Sequence, residues 1–175
     1  THFFDKESGM FYFTSDLSAE AAAQAGLDKE LIALKMETTD NAIPSSNSNI
    51  AKDLFLLGIY FDDNNYKIIS EQMLNNVKNE LKQYGSWFCN WGLLLLNKAA
   101  PFYEVAVIGK DAEQKRKELN QIYIQNKLLV GSKTKSSLPL LQDRYVKGKT
   151  MIHVCENRVC KLPVEKTEDA VRLMR

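Results

Sequence analysis

Apolar residues at helical spacing divide residues 44–100 into three segments. After Pro44, one face of a helix is marked by Ile50, Leu54, Leu57, Gly58 and Phe61, and this spacing predicts an amphipathic helix. A second amphipathic helix is predicted over 66–84. A third, apolar almost all round and therefore expected to be buried on several sides, carries Trp87, Phe88, Trp91, Leu94 and Leu95. The short polar connection at 62–65 predicts that the first two helices form an antiparallel hairpin.

The chain before Pro44 has a different pattern. Aromatic residues around Gly9 predict a short hairpin or an extended edge over 1–16. An alanine-rich run at 18–24 indicates a short helix, and 31–37 alternates weakly, as a strand or an irregular segment does. Because Pro44 disfavours helix at the residue before it, the first long helix must begin later, with Ser45 or Ser46 as its N-cap.

After Pro101 the period changes to that of strands. The pattern predicts strand 103–108, a helix to about Tyr123 opened by a capping box of Asp111 and Gln114, and strand 127–130. This β-α-β order predicts parallel pairing with a right-handed crossover. Further strands are expected at 150–155 and 159–164, followed by a last helix capped by Thr167. The predicted fold class is therefore mixed α and β, with helical hairpins in residues 1–100 and a small α/β subdomain in 101–175.

Composition supports a globular chain with a real core. Hydrophobic residues make up 45% and charged residues 26% of the 175 residues, which is typical of soluble domains. There is no run of eighteen apolar residues and no apolar leader after Thr1, so neither a membrane partner nor a signal peptide is predicted. The lack of an initiator methionine suggests a fragment. Three cysteines, an odd number, argue against a secreted disulfide scaffold and favour the cytoplasm.

Charge is distributed unevenly. Residues 1–100 hold 8 Lys/Arg against 13 Asp/Glu, and residues 101–175 hold 15 against 9. The basic stretch 127–149 contains one aromatic residue, Tyr145, and no nucleic-acid motif, so a solvated loop is predicted and no nucleic-acid partner. Gly109-Lys110-Asp111 lacks the further glycines of a nucleotide fingerprint, and no cofactor is predicted.

Three stretches of the chain carry a resemblance to a known family. They are KMETTDNAIPSSNS at 35–48, NKAAPFYEVAVIG at 97–109 and TMIHVCENRVCKLPVE at 150–165. They resemble the C-terminal third of thioredoxin-domain-containing proteins of the YyaL type, whose animal relatives are called spermatogenesis-associated protein 20. The resemblance runs from FYFTSD at 11–16 to the end of the chain.

The resemblance implies an architecture larger than this chain. Proteins of that type place a thioredoxin-like domain before an (α/α)6 toroid similar to six-hairpin glycosidases and N-acylglucosamine 2-epimerases. This chain would then hold the last hairpins of the toroid and the α/β tail. The implied partners are the missing part of the toroid and the thioredoxin-like domain, and a homo-oligomer could bury an exposed helical face.

The polar turn at 40–48 is the first candidate site. In toroids the ligand cleft lies at loops that lead into helices, and amides and hydroxyls are the groups that bind sugars. Asp40 and Glu37 are the carboxylates available for acid–base catalysis, although they are too near in sequence for the usual glycosidase pair. The ligand-binding residues of this hypothesis are Asn41, Ser45, Ser46, Asn47, Ser48, Trp87 and Trp91. The alternatives are that the turn only caps the helix and that the tryptophans are core rather than a stacking platform.

Cys155 and Cys160 are the second candidate site. They flank a tight turn, so their side chains could lie opposite one another on neighbouring strands, within disulfide distance. Three interpretations stay open: a structural pair, a redox pair, or a metal site to which His153, on the same strand face, would contribute. Cys89, in an apolar helix, is predicted to be core.

Two functions follow as hypotheses. The first is a carbohydrate-binding or carbohydrate-active toroid, similar to a sugar epimerase or glycosidase, with the 37–48 loop at its cleft. A fragment of such an enzyme is expected to be inactive. The second is a non-catalytic scaffold or a redox-linked module that serves a thioredoxin-like domain.

Overall fold

The computed structural model describes residues 2–15, 21, 24 and 35–175. The predictions for the alanine-rich run and for 31–34 therefore fall largely or wholly outside the described residues. The mixed fold class is confirmed: helices precede a small α/β part. The chain divides into a first compact unit, Thr1–Gly58 with Asn64–Leu95, and a second, Ile59–Asp63 with Leu96–Arg175.

The first unit opens with the predicted hairpin. Strand β1 (Phe4–Asp5) pairs antiparallel with β2 (Met10–Phe11). Gly9 lies between them with a φ of 70°, a backbone conformation that glycine adopts without steric cost. The rings of Phe4 and Phe11 are 4.9 Å apart across the pair.

Helices make up most of the first unit from Ser46 onward. They are α1 (Ser46–Tyr60), α2 (Asn64–Asn76), α3 (Lys78–Gln83) and α4 (Cys89–Ala99), with a 3-10 turn at Gly85–Trp87. The start of α1 after Pro44 is confirmed. The single helix predicted over 66–84 is wrong, because the chain turns at Val77, whose N–H bonds to the carbonyl of Leu74 instead of continuing the α pattern.

The core of the first unit collects apolar side chains from β2 and from the helices. Its buried members are Met10, Ala51, Met73, Leu74, Val77, Phe88, Trp91 and Leu94. The prediction that the third helix is buried on several sides is wrong for Leu93 and Leu95, which are 52% and 43% exposed. Cys89 was predicted to be core and is exposed, since it lies at the first turn of α4 beside the 3-10 turn.

The second unit is built on a four-stranded sheet. Strands β3 (Tyr103–Ile108), β4 (Lys127–Ser132), β5 (Met151–Glu156) and β6 (Val159–Cys160) lie in the order β4-β3-β5-β6. The predicted parallel pairing of β3 with β4 is confirmed, and β5 pairs antiparallel with both β3 and β6. Strand β6 is shorter than predicted, with one further bridge between Ile152 and Val164.

Two helices complete this unit, α5 (Ala112–Gln121) and α6 (Thr167–Arg172). Both predicted caps are wrong. Asp111 makes no side-chain cap bond and Gln114 donates to Glu118 instead, while Thr167 is the first residue of α6 and its hydroxyl donates to Glu118. The side chain of Gln114 thus bonds within its own helix, and the hydroxyl of Thr167 bonds to the neighbouring helix α5.

The two faces of the sheet differ in chemistry. One face packs against the helices through the buried residues Val105, Val107, Ala112, Leu119, Ile152, Val154, Ala170, Val171 and Met174. Because successive side chains of a strand point to opposite faces, the other face carries Glu104 of β3 and His153 and Cys155 of β5. Polar and sulfur-bearing side chains are therefore concentrated on one face.

Candidate functional site

Asp40 lies at the centre of a buried hydrogen-bond network in the first unit. It is 5% exposed. Its Oδ1 accepts from the Ser45 backbone N–H at 2.9 Å and from the Ser48 hydroxyl at 2.7 Å, and its Oδ2 accepts from the Asn90 backbone N–H at 2.8 Å. Both carboxylate oxygens are thus engaged by the chain itself, at the N-terminus of α1, where negative charge is stabilised.

Ser45 is the N-cap of α1, as predicted. Its Oγ accepts the Ser48 backbone N–H at 3.2 Å and its hydroxyl donates to the Thr38 carbonyl. The Ser48 hydroxyl in turn accepts the side-chain amide of Asn90 at 2.9 Å. These bonds join the turn to the first turns of α1 and α4.

Asn47 connects α1 to the N-terminal hairpin. Its side-chain oxygen accepts the Phe11 N–H at 2.8 Å, and its amide donates to the carbonyls of Phe11 and Glu37 at 2.8 and 3.0 Å. The buried Asn47 amide thus pairs with both the N–H and the carbonyl of Phe11, as the backbone of a neighbouring strand does. Its hydrogen bonds account for its burial without a ligand.

The remaining polar residues of the turn are more accessible. Glu37 accepts the Ser46 hydroxyl at 3.1 Å in an exposed contact. Asn41 is exposed and accepts the N–H of Ala42 through its side chain. The structure thus brings Glu37 and Asp40 to the same helix start. Asp40 is buried there, whereas the hydrogen-bonded pair of Glu37 and Ser46 is more exposed. A catalytic role for either carboxylate stays a prediction.

Trp87 and Trp91 do not form the predicted stacking platform. Trp91 is 0% exposed and its indole N–H donates to the Thr38 carbonyl at 2.7 Å, whereas Trp87 is 53% exposed. Trp87 ends the 3-10 turn and Trp91 lies in α4, so the fourfold spacing does not place the two rings on one helix face. The predicted platform is wrong, and the alternative that Trp91 is core is correct.

Cys155 and Cys160 form a disulfide bond in the second unit, with their Cα atoms 3.9 Å apart. They are register partners of β5 and β6, as their spacing predicted. The strands are joined through Asn157 and Arg158, whose φ angles are 47° and 68°, the pattern of a type I′ hairpin turn. Val154 and Lys161, on the next pair, are hydrogen-bonded, so the cysteines occupy a non-hydrogen-bonded position, where side chains approach most closely.

The two cysteines differ in exposure, and their sulfurs share one cation. Cys155 is 0% exposed, while Cys160 is exposed on the edge strand. The guanidinium of Arg144 donates through Nη1 to the Cys155 sulfur and through Nη2 to the Cys160 sulfur, each at 3.4 Å. Arg144 comes from the basic segment between β4 and β5, which was predicted to be a solvated loop. That prediction is wrong for Arg144, which is partly buried against the disulfide, and Leu140 and Leu141 of the same segment are buried.

Two further ionisable groups accompany Arg144 on this face. Glu104 is buried and lies opposite Cys155 in the register of β3 and β5. Burial lowers the pKa of Arg144 and the charge of Glu104 opposes that shift. Burial and then the charge of Arg144 lower the pKa of His153, which favours the neutral imidazole. Among the described residues, no hydrogen-bond partner lies within reach of the buried His153 Nε2.

Sequence reasoning missed Asn90, Glu104 and Arg144. A glutamate within the apolar strand YEVAVI is a detectable signal, because buried carboxylates are rare unless paired. Arg144 has no such signal, since it resembles the other basic residues of its loop. No group of three or more His, Cys, Asp or Glu side chains among the residues that the structure describes is arranged to hold a metal ion.

Comparison with protein-family models, with curated proteins and with solved structures found no match to this chain. In the described part of the chain, none of the helices is long and apolar enough to cross a membrane. The family resemblance stated from the sequence stays a prediction.

Proposed function

We propose that the second unit is a thiol–disulfide exchange module whose redox-active bond is Cys155–Cys160. The observation that carries the proposal is the asymmetric disulfide, which joins an exposed cysteine to a fully buried one and whose two sulfurs both accept from one guanidinium. Reactive disulfides need access for an incoming thiolate and a positive charge that stabilises the thiolate that leaves. Both requirements are met by groups of this chain.

The reaction consumes two thiols of a partner. A thiolate of the partner attacks one sulfur, and the electron pair of the S–S bond passes to the other. The second thiolate of the partner then attacks the mixed disulfide. The partner leaves as a disulfide, and Cys155 and Cys160 are left reduced. The reverse sequence starts from the reduced cysteines, reduces a disulfide of the partner to two thiols and re-forms the Cys155–Cys160 bond. A thioredoxin-like domain, which the family resemblance implies, is a dithiol partner of the required class.

The position of the bond in the fold supports a reversible reaction. The cysteines are 5 positions apart in sequence, and a cross-link over so short a loop adds only about 2 kcal/mol of stability in the chain-entropy account. The strand β5 is held independently by its pairing with β3 over six residue pairs. The fold should therefore survive reduction.

The sugar-cleft hypothesis has less support. It places the ligand at Asp40, whose two oxygens already accept three hydrogen bonds from Ser45, Ser48 and Asn90. A sugar hydroxyl would have to compete with these bonds. The exposed pair of Glu37 and Ser46 is the part of the turn that a ligand could reach without displacing them.

The test is a redox titration of the Cys89→Ser variant, in which Cys155 and Cys160 are the remaining cysteines. The folded protein is equilibrated with mixtures of reduced and oxidised glutathione or dithiothreitol, quenched with acid, alkylated and weighed by mass spectrometry. We expect a reversible change of two alkylated thiols while the circular dichroism spectrum stays native. The midpoint should lie above about −300 mV, the level below which structural disulfides usually fall. A bond that opens only in urea would overturn the proposal.

A further inference from the structure

The disulfide is asymmetric in a way that allows only one of its sulfurs to be attacked. Thiol–disulfide exchange proceeds by attack on one sulfur while the other leaves as a thiolate. Cys160 is exposed on the edge strand, whereas Cys155 is 0% exposed beneath it. An incoming sulfur can therefore reach Cys160 without any rearrangement of the strands, but it cannot reach Cys155.

Arg144 contacts both of the reacting atoms. Its Nη1 and Nη2 lie 3.4 Å from the sulfurs of Cys155 and Cys160 respectively. The guanidinium is a planar fork that keeps its charge. As the S–S bond breaks, negative charge develops on the leaving sulfur, and a donor that is already in place stabilises that charge without reorganisation.

We infer that Cys160 is the sulfur that exchanges with a partner thiol, that Cys155 is the leaving and resolving sulfur, and that Arg144 is the catalytic cation that holds the Cys155 thiolate. This assignment rests on the proposed function. When the Cys155–Cys160 bond is reduced, the partner thiolate bonds to Cys160 and the electron pair of the broken bond goes to Cys155. When the Cys155–Cys160 bond is re-formed, the Cys155 thiolate attacks the Cys160 sulfur of the mixed disulfide and the partner leaves as a thiolate.

The surroundings of Arg144 suit this role. Glu104, buried on the same face of the sheet, supports the charged form of the guanidinium. His153 precedes Cys155 by two positions on β5, and burial and the charge of Arg144 favour its neutral form. Arg144 is thus the charged donor that the structure places in contact with both sulfurs.

The first experiment identifies the attacked sulfur. The oxidised Cys89→Ser protein is mixed with reduced glutathione, quenched with acid after short intervals and mapped by peptide mass spectrometry. We expect the transient glutathione adduct on Cys160. An adduct that forms first on Cys155 would overturn the assignment of the two sulfurs, and a protein that forms no adduct and is never reduced would overturn the proposed function as well.

The second experiment measures the contribution of Arg144. Rates of reduction by glutathione are compared in the Cys89→Ser background for Arg144→Gln, Arg144→Lys and the control Arg158→Gln, whose side chain is paired with Asp62. We expect Arg144→Gln to slow reduction several-fold, because a higher pKa of the leaving thiol slows its departure. Arg144→Lys keeps the charge but loses the fork, so its rate should lie between those of Arg144→Gln and the parent. Arg158→Gln should stay within about twofold, because its charge is solvent-exposed and screened.

A third readout does not depend on exchange. The pH dependence of the thiolate ultraviolet absorbance, which requires no reagent to reach the buried sulfur, is measured for the Cys155 thiol in Cys89→Ser/Cys160→Ser, with and without Arg144→Gln. The absorbance follows the thiolate, so the variant lacking Arg144 should need a higher pH to form it. Equal reduction rates and equal titration profiles would remove Arg144 from the mechanism while leaving the redox function standing. If Arg144→Gln fails to fold, the reduction rate of Arg144→Lys becomes the test. A rate equal to that of the parent would refute the role of the paired N–H donors of the guanidinium.

Discussion

Each of the two compact units contains a buried carboxylate in a polar cluster, and the clusters differ in what they leave open. Around Asp40, donors from Ser45, Ser48 and Asn90 occupy both carboxylate oxygens. On the face of the sheet, the cluster of Glu104, Arg144 and His153 lies beside a disulfide in which one of the two cysteines, Cys160, is exposed. The hydrogen bonds of the first cluster are satisfied by its own members, whereas the second cluster adjoins a solvent-exposed cysteine.

The difference separates a structural cluster from a reactive one. A buried polar network whose members are mutually satisfied fixes one arrangement of its elements, and breaking it is costly. A group that is partly buried beside a charge and still accessible has its reactivity altered instead. The Asp40 network therefore accounts for how α1 and α4 begin, whereas the sheet cluster is where chemistry is expected.

The largest effect should come from Asp40→Asn. Whichever way the new amide turns, its NH2 group faces the N–H of Ser45 or of Asn90, because each carboxylate oxygen accepts one of these. A buried donor left without an acceptor costs about 1–3 kcal/mol, so we expect a loss of about 3 kcal/mol in unfolding free energy, measured by urea denaturation. The exposed Asp53 offers a control, and Asp53→Asn should change stability by less than about 0.5 kcal/mol. Unchanged stability in Asp40→Asn would contradict the structural role and return Asp40 to the ligand hypothesis.

A smaller effect is expected from breaking the disulfide. Reduction of the Cys155–Cys160 bond, or the double variant Cys155→Ser/Cys160→Ser, should lower the unfolding free energy by about 2 kcal/mol, since the closed loop is short. The measurement is urea denaturation with and without dithiothreitol, and the double variant should not respond to the reductant. Complete unfolding on reduction would show that the bond is structural, and the contrast between the two clusters would then fail.

Local patterns were enough to predict much of the fold. Pro44 followed by serines predicted the capped start of α1, and the apolar run at 103–108 predicted the strand that pairs with β4. These features depend on neighbours in the chain. The spacing of Cys155 and Cys160 around a tight turn also predicted that their side chains could lie opposite one another, within disulfide distance.

The rest depended on contacts that are distant in sequence. Asn90 meets Asp40 across 50 positions, and Arg144 meets Cys160 across 16. The spacing of apolar and polar residues along the chain does not predict such contacts. The sequence pattern also does not show which residues of an apolar run are buried. Cys89 and Trp91 both occur in such a run, and only Trp91 is buried. Burial is decided by which side of α4 meets its neighbours, and the apolar run itself carries no such information.

The smallest expected effect tests whether the sheet cluster is electrostatically coupled to folding. Burial and the charge of Arg144 lower the pKa of His153 in the folded protein, so the unfolded chain takes up the proton first as pH falls. The stabilising contribution of the neutral imidazole is complete above the unfolded pKa of about 6.5 and is lost as pH falls from there toward the lower folded value. Because the side chain is partly exposed, solvent screening should keep the effect below about 1 kcal/mol.

His153→Gln should flatten that dependence. Between pH 7.5 and pH 5, the unfolding free energy of the parent protein should fall more than that of the variant, as measured by urea denaturation at each pH. The chain has 2 histidines, so His2→Gln is a matched control and should keep the slope of the parent. Identical slopes in the parent and in His153→Gln would mean that the imidazole accepts a proton as easily in the folded state as in the unfolded one. Neither burial nor the charge of Arg144 would then act measurably on the imidazole, and the sheet cluster would not be coupled to folding through His153.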